Sequence, residues 1–191
     1  MNVALRQPRS VAEFLAWEEQ QELRYEFDGF QAYAMVGVTR AHATIQGNLL
    51  IALGNRLRGT PCRAFGSELK IEVAGSIRYP DAFVVCTPGA GNQTVVSDPV
   101  VVFEILSPGT ARIDRVTKNA EYRATPSVQR YVMLEQDSQA ATVFAREGER
   151  WVGSLFTGNI VLSMPEIAIE FPLAELYEGL DLTQSSGEAT A

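Results

Sequence analysis

The chain has 191 residues, 46% hydrophobic and 20% charged, with a formal net charge of −7 and a pI near 4.8. That length suits one domain, the hydrophobic share excludes a disordered chain, and no apolar run approaches the ~20 residues of a membrane span. The acid is uneven: Val38 to Tyr131 carries 11 Lys+Arg against 7 Asp+Glu, so the excess negative charge lies in the two ends. A general nucleic-acid coat protein is disfavoured, while a nucleic-acid strand on the middle of the chain stays compatible. Cys62 and Cys86 are too few for a disulfide framework and lack zinc-finger spacing. The N-terminal residues show no apolar export segment, and the expected location is the cytoplasm.

In chain order, Ser10 and Glu13 form a capping-box signature, and Val11, Phe14 and Leu15 against Glu18, Glu19 and Glu22 outline an amphipathic first helix. Asp28-Gly29 between Tyr25–Phe27 and Phe30–Val36 predicts a hairpin. Ile45, Leu49, Leu53 and Leu57 recur at helical spacing and predict a helix over residues 40–58, stopped near Gly59-Thr60-Pro61. Glu68, Lys70 and Glu72 then alternate with Leu69, Ile71 and Val73, the pattern of a strand with one wet face. Tyr79–Val85 reads as another strand and Pro99–Leu106 as a strongly apolar, central one. Ser107-Pro108-Gly109-Thr110 is a turn into a helix around Arg112–Arg123. Arg130–Glu135, Thr142–Arg146, Trp151–Phe156 and Ile167–Phe171 are strand-like, and Leu173–Tyr177 is a short closing helix. The sum predicts a mixed α/β (α+β) domain on one central sheet flanked by helices, with an N-terminal helix and hairpin. It occupies residues 1–180, and 181–191 read as a disordered tail.

Glu104 is the position least suited to an inert core. It lies within Val100–Leu106, the most apolar strand, where an ionised carboxylate costs several kcal/mol unless it is paired or binds metal. Asp81 opens a second apolar run after Pro80. If the two strands are neighbours the carboxylates converge, and a divalent cation is the usual reason for such a pairing. Asp114, Lys118 and Tyr122 share one face of the following helix. Lys118 is one of only two lysines, beside Lys70. As an exposed i,i+4 pair, Asp114 and Lys118 would be worth a few tenths of a kcal/mol, and from the residues alone that is the favoured reading. Glu26 precedes the hairpin turn. His42, the single histidine, lies on the apolar stripe of the second helix and reads as a buried core residue. No nucleophile elbow, phosphate-cradling loop or dinucleotide fingerprint is present.

Read together, Tyr25-Glu26-Phe27-Asp28-Gly29, His42 with Ile45 and Leu49, and Tyr79-Pro80-Asp81-Ala82-Phe83-Val84-Val85 form the first half of a pattern. Phe103-Glu104-Ile105-Leu106-Ser107-Pro108-Gly109-Thr110, Asp114-Arg115, and Lys118 with Tyr122 form the second. The sequence resembles the Uma-type restriction endonuclease family (domain of unknown function 820) of the PD-(D/E)XK nuclease superfamily over residues 10–178. The resemblance implies a restriction-endonuclease-like core and a metal-dependent endonuclease that hydrolyses phosphodiesters. Asp81 and Glu104 would then ligate Mg²⁺, with Mn²⁺ as substitute, and the Ile105 carbonyl would be a third ligand. Lys118 would be the catalytic lysine and Glu26 an accessory acid. The substrate would be nucleic acid, DNA foremost, and a homodimer would suit cleavage of both strands. Two positions depart from the pattern. Leu106 stands where the superfamily places its lysine, with Lys70 a second candidate for that role, and Tyr131–Glu135 lacks the Tyr-Trp and Asp of relatives. A catalytically silent binding or scaffold protein on the same fold is the competing expectation.

Overall fold

The computed structural model describes residues 8–107, 109 and 111–182. The tail expected from 181 lies outside them from residue 183 on, as do Pro108 and Thr110 of the expected turn. Helix α1 (Val11–Glu18) precedes the hairpin β1 (Tyr25–Phe27) and β2 (Ala32–Ala34), and α2 (Arg40–Arg56) follows. Next come β3 (Arg63–Gly66), β4 (Lys70–Val73), β5 (Ser76–Arg78), β6 (Ala82–Val85), the two-residue β7 (Val95–Val96) and β8 (Val101–Ile105). The next helical segment is α-helical at α3 (Ala111–Ile113), π-helical over Asp114–Lys118 and α-helical again at α4 (Asn119–Ala124). Strands β9 (Arg130–Leu134), β10 (Ala140–Glu147) and β11 (Arg150–Thr157) follow, then the ribbon β12 (Val161–Met164) and β13 (Ile169–Pro172), and a 3-10 turn at Leu173–Tyr177.

Local chemistry accounts for these elements. Ser10 Oγ accepts the Glu13 N–H at 3.2 Å, and Glu13 Oε2 reaches back to the Arg9 N–H at 2.9 Å, a capping box shifted by one donor. Asp28 Oδ1 accepts from Phe30 N and Gln31 N at 2.9 and 2.8 Å, and Gly29 takes φ +89°, so the hairpin turns where Asp-Gly predicts.

The strands divide between two sheets and the β12–β13 ribbon instead of joining the one sheet expected. One sheet runs β2-β1-β5-β4-β7 and the other β11-β10-β9-β8-β6-β3. The division falls at Tyr79-Pro80-Asp81, within the stretch that reads as a continuous strand. Pro80 has no N–H to offer a ladder. β5 therefore ends at Arg78 in the first sheet and β6 begins at Ala82 in the second. In the six-stranded sheet only β8 and β9 run parallel, and β8 is central, as its apolar sequence predicts.

Alternation along β8 sorts the core. Val101, Phe103 and Ile105 face a cluster with Ile45, Leu49 and Leu53 of α2 and with Phe171, Leu173 and Leu176. Val102 and Leu106 face the opposite cluster, with Ile71, Val73, Tyr122 and Tyr131. Cys62 and Cys86, flanking the β3–β6 pair, are bonded to each other. Among the described residues no helix is long and apolar enough to cross a membrane.

Candidate active site

The β6–β8 register brings the two suspect carboxylates together. Ala82 faces Phe103 in this antiparallel pair, and one further step sets Asp81 opposite Glu104. Asp81 Oδ2 accepts the Ile105 N–H at 2.7 Å. Glu104 is 4% exposed, on the face of β8 that also carries Val102 and Leu106. Its Oε1 accepts from Lys118 Nζ at 3.0 Å and from Tyr122 O–H at 2.7 Å.

Lys118 is delivered by the π-helical turn, which closes with the Asn119 N–H on the Asp114 carbonyl. Such turns inside helices are rare and concentrate at functional sites. Lys118 Nζ lies 3.2 Å from Asp114 Oδ1 and 3.2 Å from Glu26 Oε1, in addition to its contact with Glu104. Lys118 and Asp114 are both buried, so the exposed surface pair expected from spacing alone is not what forms. The helix packs on the sheet, with Tyr122 edge-on to Tyr131 and the Tyr131 hydroxyl donating to the Asp114 carbonyl at 3.1 Å. An ammonium in such a position must be paired.

Glu26 arrives from the other sheet. It accepts the Tyr79 N–H at 3.1 Å, and its second oxygen is 3.3 Å from Arg78 Nη1. Arg78, 2% exposed, is held by Glu121 through Nε to Oε2 at 2.7 Å and Nη2 to Oε1 at 2.6 Å. That fork joins β5 to α4 and so ties the two sheets together at the site.

His42 lies in the first turn of α2, whose cap is Thr39: the Thr39 Oγ1 accepts the His42 N–H at 3.1 Å. The ring is buried, as its place on the apolar stripe predicts, yet it is not merely core. Its Nε2 is 3.2 Å from Asp81 Oδ2, while its Nδ1 has no hydrogen-bond partner among the described residues.

Charge balance sets the protonation of the cluster. Burial drives the Glu104 carboxyl well above the ordinary carboxylate range; Lys118 opposes this, and the negative charges of Asp114, Asp81 and Glu26 reinforce it. Burial also raises Glu26, but Lys118, Arg78 and the Tyr79 N–H together hold it below its ordinary 4.5. For Lys118, burial is outweighed by Glu104, Glu26 and Asp114, so its ammonium is held well above its usual range. A cavity of about 450 Å³ opens over these groups, with Met35, Val36, Val38 and Ile113 on its apolar side.

Comparison with known proteins gives the family and the fold. Residues 11–174 match the model of the Uma2 family, described as "putative restriction endonuclease". The chain belongs to the Uma2 family. The Synechocystis sp. (strain ATCC 27184 / PCC 6803 / Kazusa) protein slr1290, described as uncharacterized, is 30% identical over 175 residues, covering 90% of this chain and 92% of that one. A second protein of that organism, sll1609, also described as uncharacterized, is 26% identical over 155 residues, 78% of this chain and 88% of the relative. The fold is also that of a crystal structure titled as "a putative nuclease belonging to DUF820" from Anabaena variabilis ATCC 29413. There the TM-score is 0.73 at 20% identity, over 89% of this chain and 98% of that one.

Of the residues singled out in this Uma2 chain, Glu26, Asp81, Glu104, Asp114, Lys118, Tyr122 and His42 meet in one cluster. Lys70 does not join them. It pairs with Glu18 and lies over the Tyr79 ring, and Glu18 also accepts from the Tyr79 hydroxyl at 2.7 Å. Glu18, expected on the wet face of α1, is thereby buried. Arg78 and Glu121 escape sequence reasoning, since Ser76–Arg78 is too short for a period and Glu121 reads as helix surface. Leu106, where the resemblance leads one to expect a lysine, packs in the apolar cluster, and the helix supplies the ammonium to Glu104 instead.

The donor set suits a hard divalent cation. Two carboxylates and the Ile105 carbonyl are oxygen ligands of the kind Mg²⁺ takes. Four carboxylates, of Glu26, Asp81, Glu104 and Asp114, crowd a site whose ammonium is Lys118 and whose guanidinium is already forked to Glu121. One oxygen each of Asp81 and Glu104 is engaged by protein donors, and the remaining oxygens accept no hydrogen bond from the described residues. No three His, Cys, Asp or Glu side chains among the described residues stand as a ready-made metal cage, so water or substrate would have to complete the coordination.

Proposed function

We propose that this chain is a metal-dependent endonuclease hydrolysing phosphodiester bonds of nucleic acid, DNA foremost. The observation that carries the reading is the pairing of Asp81 with Glu104 across β6 and β8, with a buried lysine on Glu104. Asp81, Glu104 and the Ile105 carbonyl would hold Mg²⁺ or Mn²⁺. The cation would supply charge neutralisation and polarisation of the phosphoryl oxygens.

The protein's own groups do the rest. Lys118 sets a fixed positive charge where negative charge develops as water adds to phosphorus and the ester P–O bond breaks. Tyr122 and Lys118 both bind Glu104 Oε1 and fix that carboxylate's rotamer. Glu26 anchors the other side of the Lys118 ammonium, and Arg78 and the Tyr79 N–H keep Glu26 ionised. Burial of the cluster raises the effect of every charge in it. A two-fold dimer would place two such sites on the two strands of a duplex.

Lys118 is tied by three carboxylates, and this favours a second reading, a catalytically silent nucleic-acid-binding or scaffold protein. Incubation of plasmid and single-stranded DNA with the wild type and with Asp81→Ala and Glu104→Ala in Mg²⁺ or Mn²⁺ separates the two. Metal-dependent cleavage lost in both variants is the expected result. Cleavage retained by either variant would refute the assignment, and no cleavage by the wild type would favour the scaffold.

A further inference from the structure

We infer that His42 is a positioning residue that fixes the Asp81 carboxylate for metal, acting through a ring of contacts that locks the start of α2 to the end of β8. The inference rests on the metal-site reading above. His42 Nε2 lies 3.2 Å from Asp81 Oδ2, the same oxygen that accepts the Ile105 N–H at 2.7 Å. Two bare acceptors at that distance would repel, so Nε2 must carry its proton and donate. With Oδ2 held by two donors on different elements, rotation about the Asp81 side-chain bonds is blocked and Oδ1 is left for the cation.

The ring continues away from Asp81. The His42 N–H donates to Thr39 Oγ1 at 3.1 Å, the Thr39 hydroxyl donates to Gln136 Oε1, and Gln136 Nε2 donates to the Leu106 carbonyl at 2.7 Å. Leu106 follows Ile105, whose N–H closes the ring on Asp81. The Ile105 carbonyl, the third oxygen of the donor set, therefore sits in a strand end pinned from both sides. From the other side, Gln46 Nε2 donates to the Asp81 carbonyl at 2.9 Å. Groups that hydrogen-bond a metal-ligating carboxylate characteristically change metal affinity by about 10–100-fold when removed.

The test is calorimetric titration of Mn²⁺ alone into the wild type, Asp81→Ala, His42→Ala, His42→Phe and His42→Gln, each with its metal-free thermal melt. Phe fills the site without a donor, whereas the Gln amide can replace Nε2–H, so the pair separates packing from donation. The expected result is a Kd roughly 10–100-fold weaker for Ala and Phe, and Gln near the wild type. Equal affinity in all His42 variants overturns the inference while leaving the metal site standing. Weakening by Gln as severe as by Phe assigns the effect to packing and overturns it too. Should Ala melt too low to titrate, Phe and Gln decide between them. No Mn²⁺ binding by the wild type, or undiminished binding by Asp81→Ala, refutes the metal-site reading itself and the His42 inference with it.

Discussion

Glu26 shows how one half-buried carboxylate can serve charge balance more than ligation. Its oxygens meet Lys118, Arg78 and the Tyr79 N–H, and together these outweigh its burial and lower its pKa below 4.5. A group whose folded pKa is depressed contributes stability that is complete above its unfolded value and lost as pH falls through the folded one. Glu26→Gln keeps the acceptor for Tyr79 but removes the charge. We expect it to cost about 1.5–3 kcal/mol near neutral pH, the worth of hydrogen bonds to a charged group. The gap between the two proteins should close as pH drops below about 4.5. Urea unfolding of both proteins across that window reads it directly, and a gap that does not change with pH would show that the cost of Gln does not come from losing the Glu26 charge.

At the scale of elements, the site depends on how helices begin and where strands stop. Thr39 caps α2 through the His42 N–H and also links it to Gln136, so one hydroxyl serves the helix and the strand end together. Thr39→Val, nearly isosteric but without the hydroxyl, should destabilise the protein by about 1 kcal/mol, and Thr39→Ser by only a few tenths. Chemical denaturation checks this, and equal loss in both variants would deny the cap its part. The capping box, the Asp-Gly hairpin and the apolar β8 were legible in the sequence because each is signalled by adjacent residues. So were Asp81 and Glu104, because a carboxylate opening or interrupting an apolar run stands out. The ring at Thr39 was not, since Gln136 is distant in sequence and meets Thr39 only after β8 and β9 pair. Nor was the π turn, whose five residues are too few to alter a helical period. Tyr79–Val85 read as one strand because its residue types suit one throughout, whereas Pro80 divides it between two sheets.

The molecule as a whole is two sheets meeting at the acidic cluster, with Arg78–Glu121 joining them inside and Cys62–Cys86 stapling the edge of the larger one. Cys62 lies just before β3 and Cys86 just after β6, so the bond closes a chain segment with a sequence separation of 24. By the entropy of loop closure such a link is worth about 3 kcal/mol. Each kcal/mol moves Tm by roughly 2–4 °C in a protein of this size, so reduction should lower Tm by roughly 6–12 °C. The proposed metal site should not follow. Asp81 lies beyond the opposite end of β6, fixed by Ile105, His42 and Gln46, and none of these contacts passes through β3. Calorimetry of the oxidised protein, the reduced protein and Cys62→Ser tests both halves of this expectation. The two treated forms should melt together below the oxidised one and bind Mn²⁺ as it does. A fall in Mn²⁺ affinity on reduction would mean that the sheet edge and the acidic cluster are mechanically coupled along β6, and that the staple belongs to the function as much as to the fold.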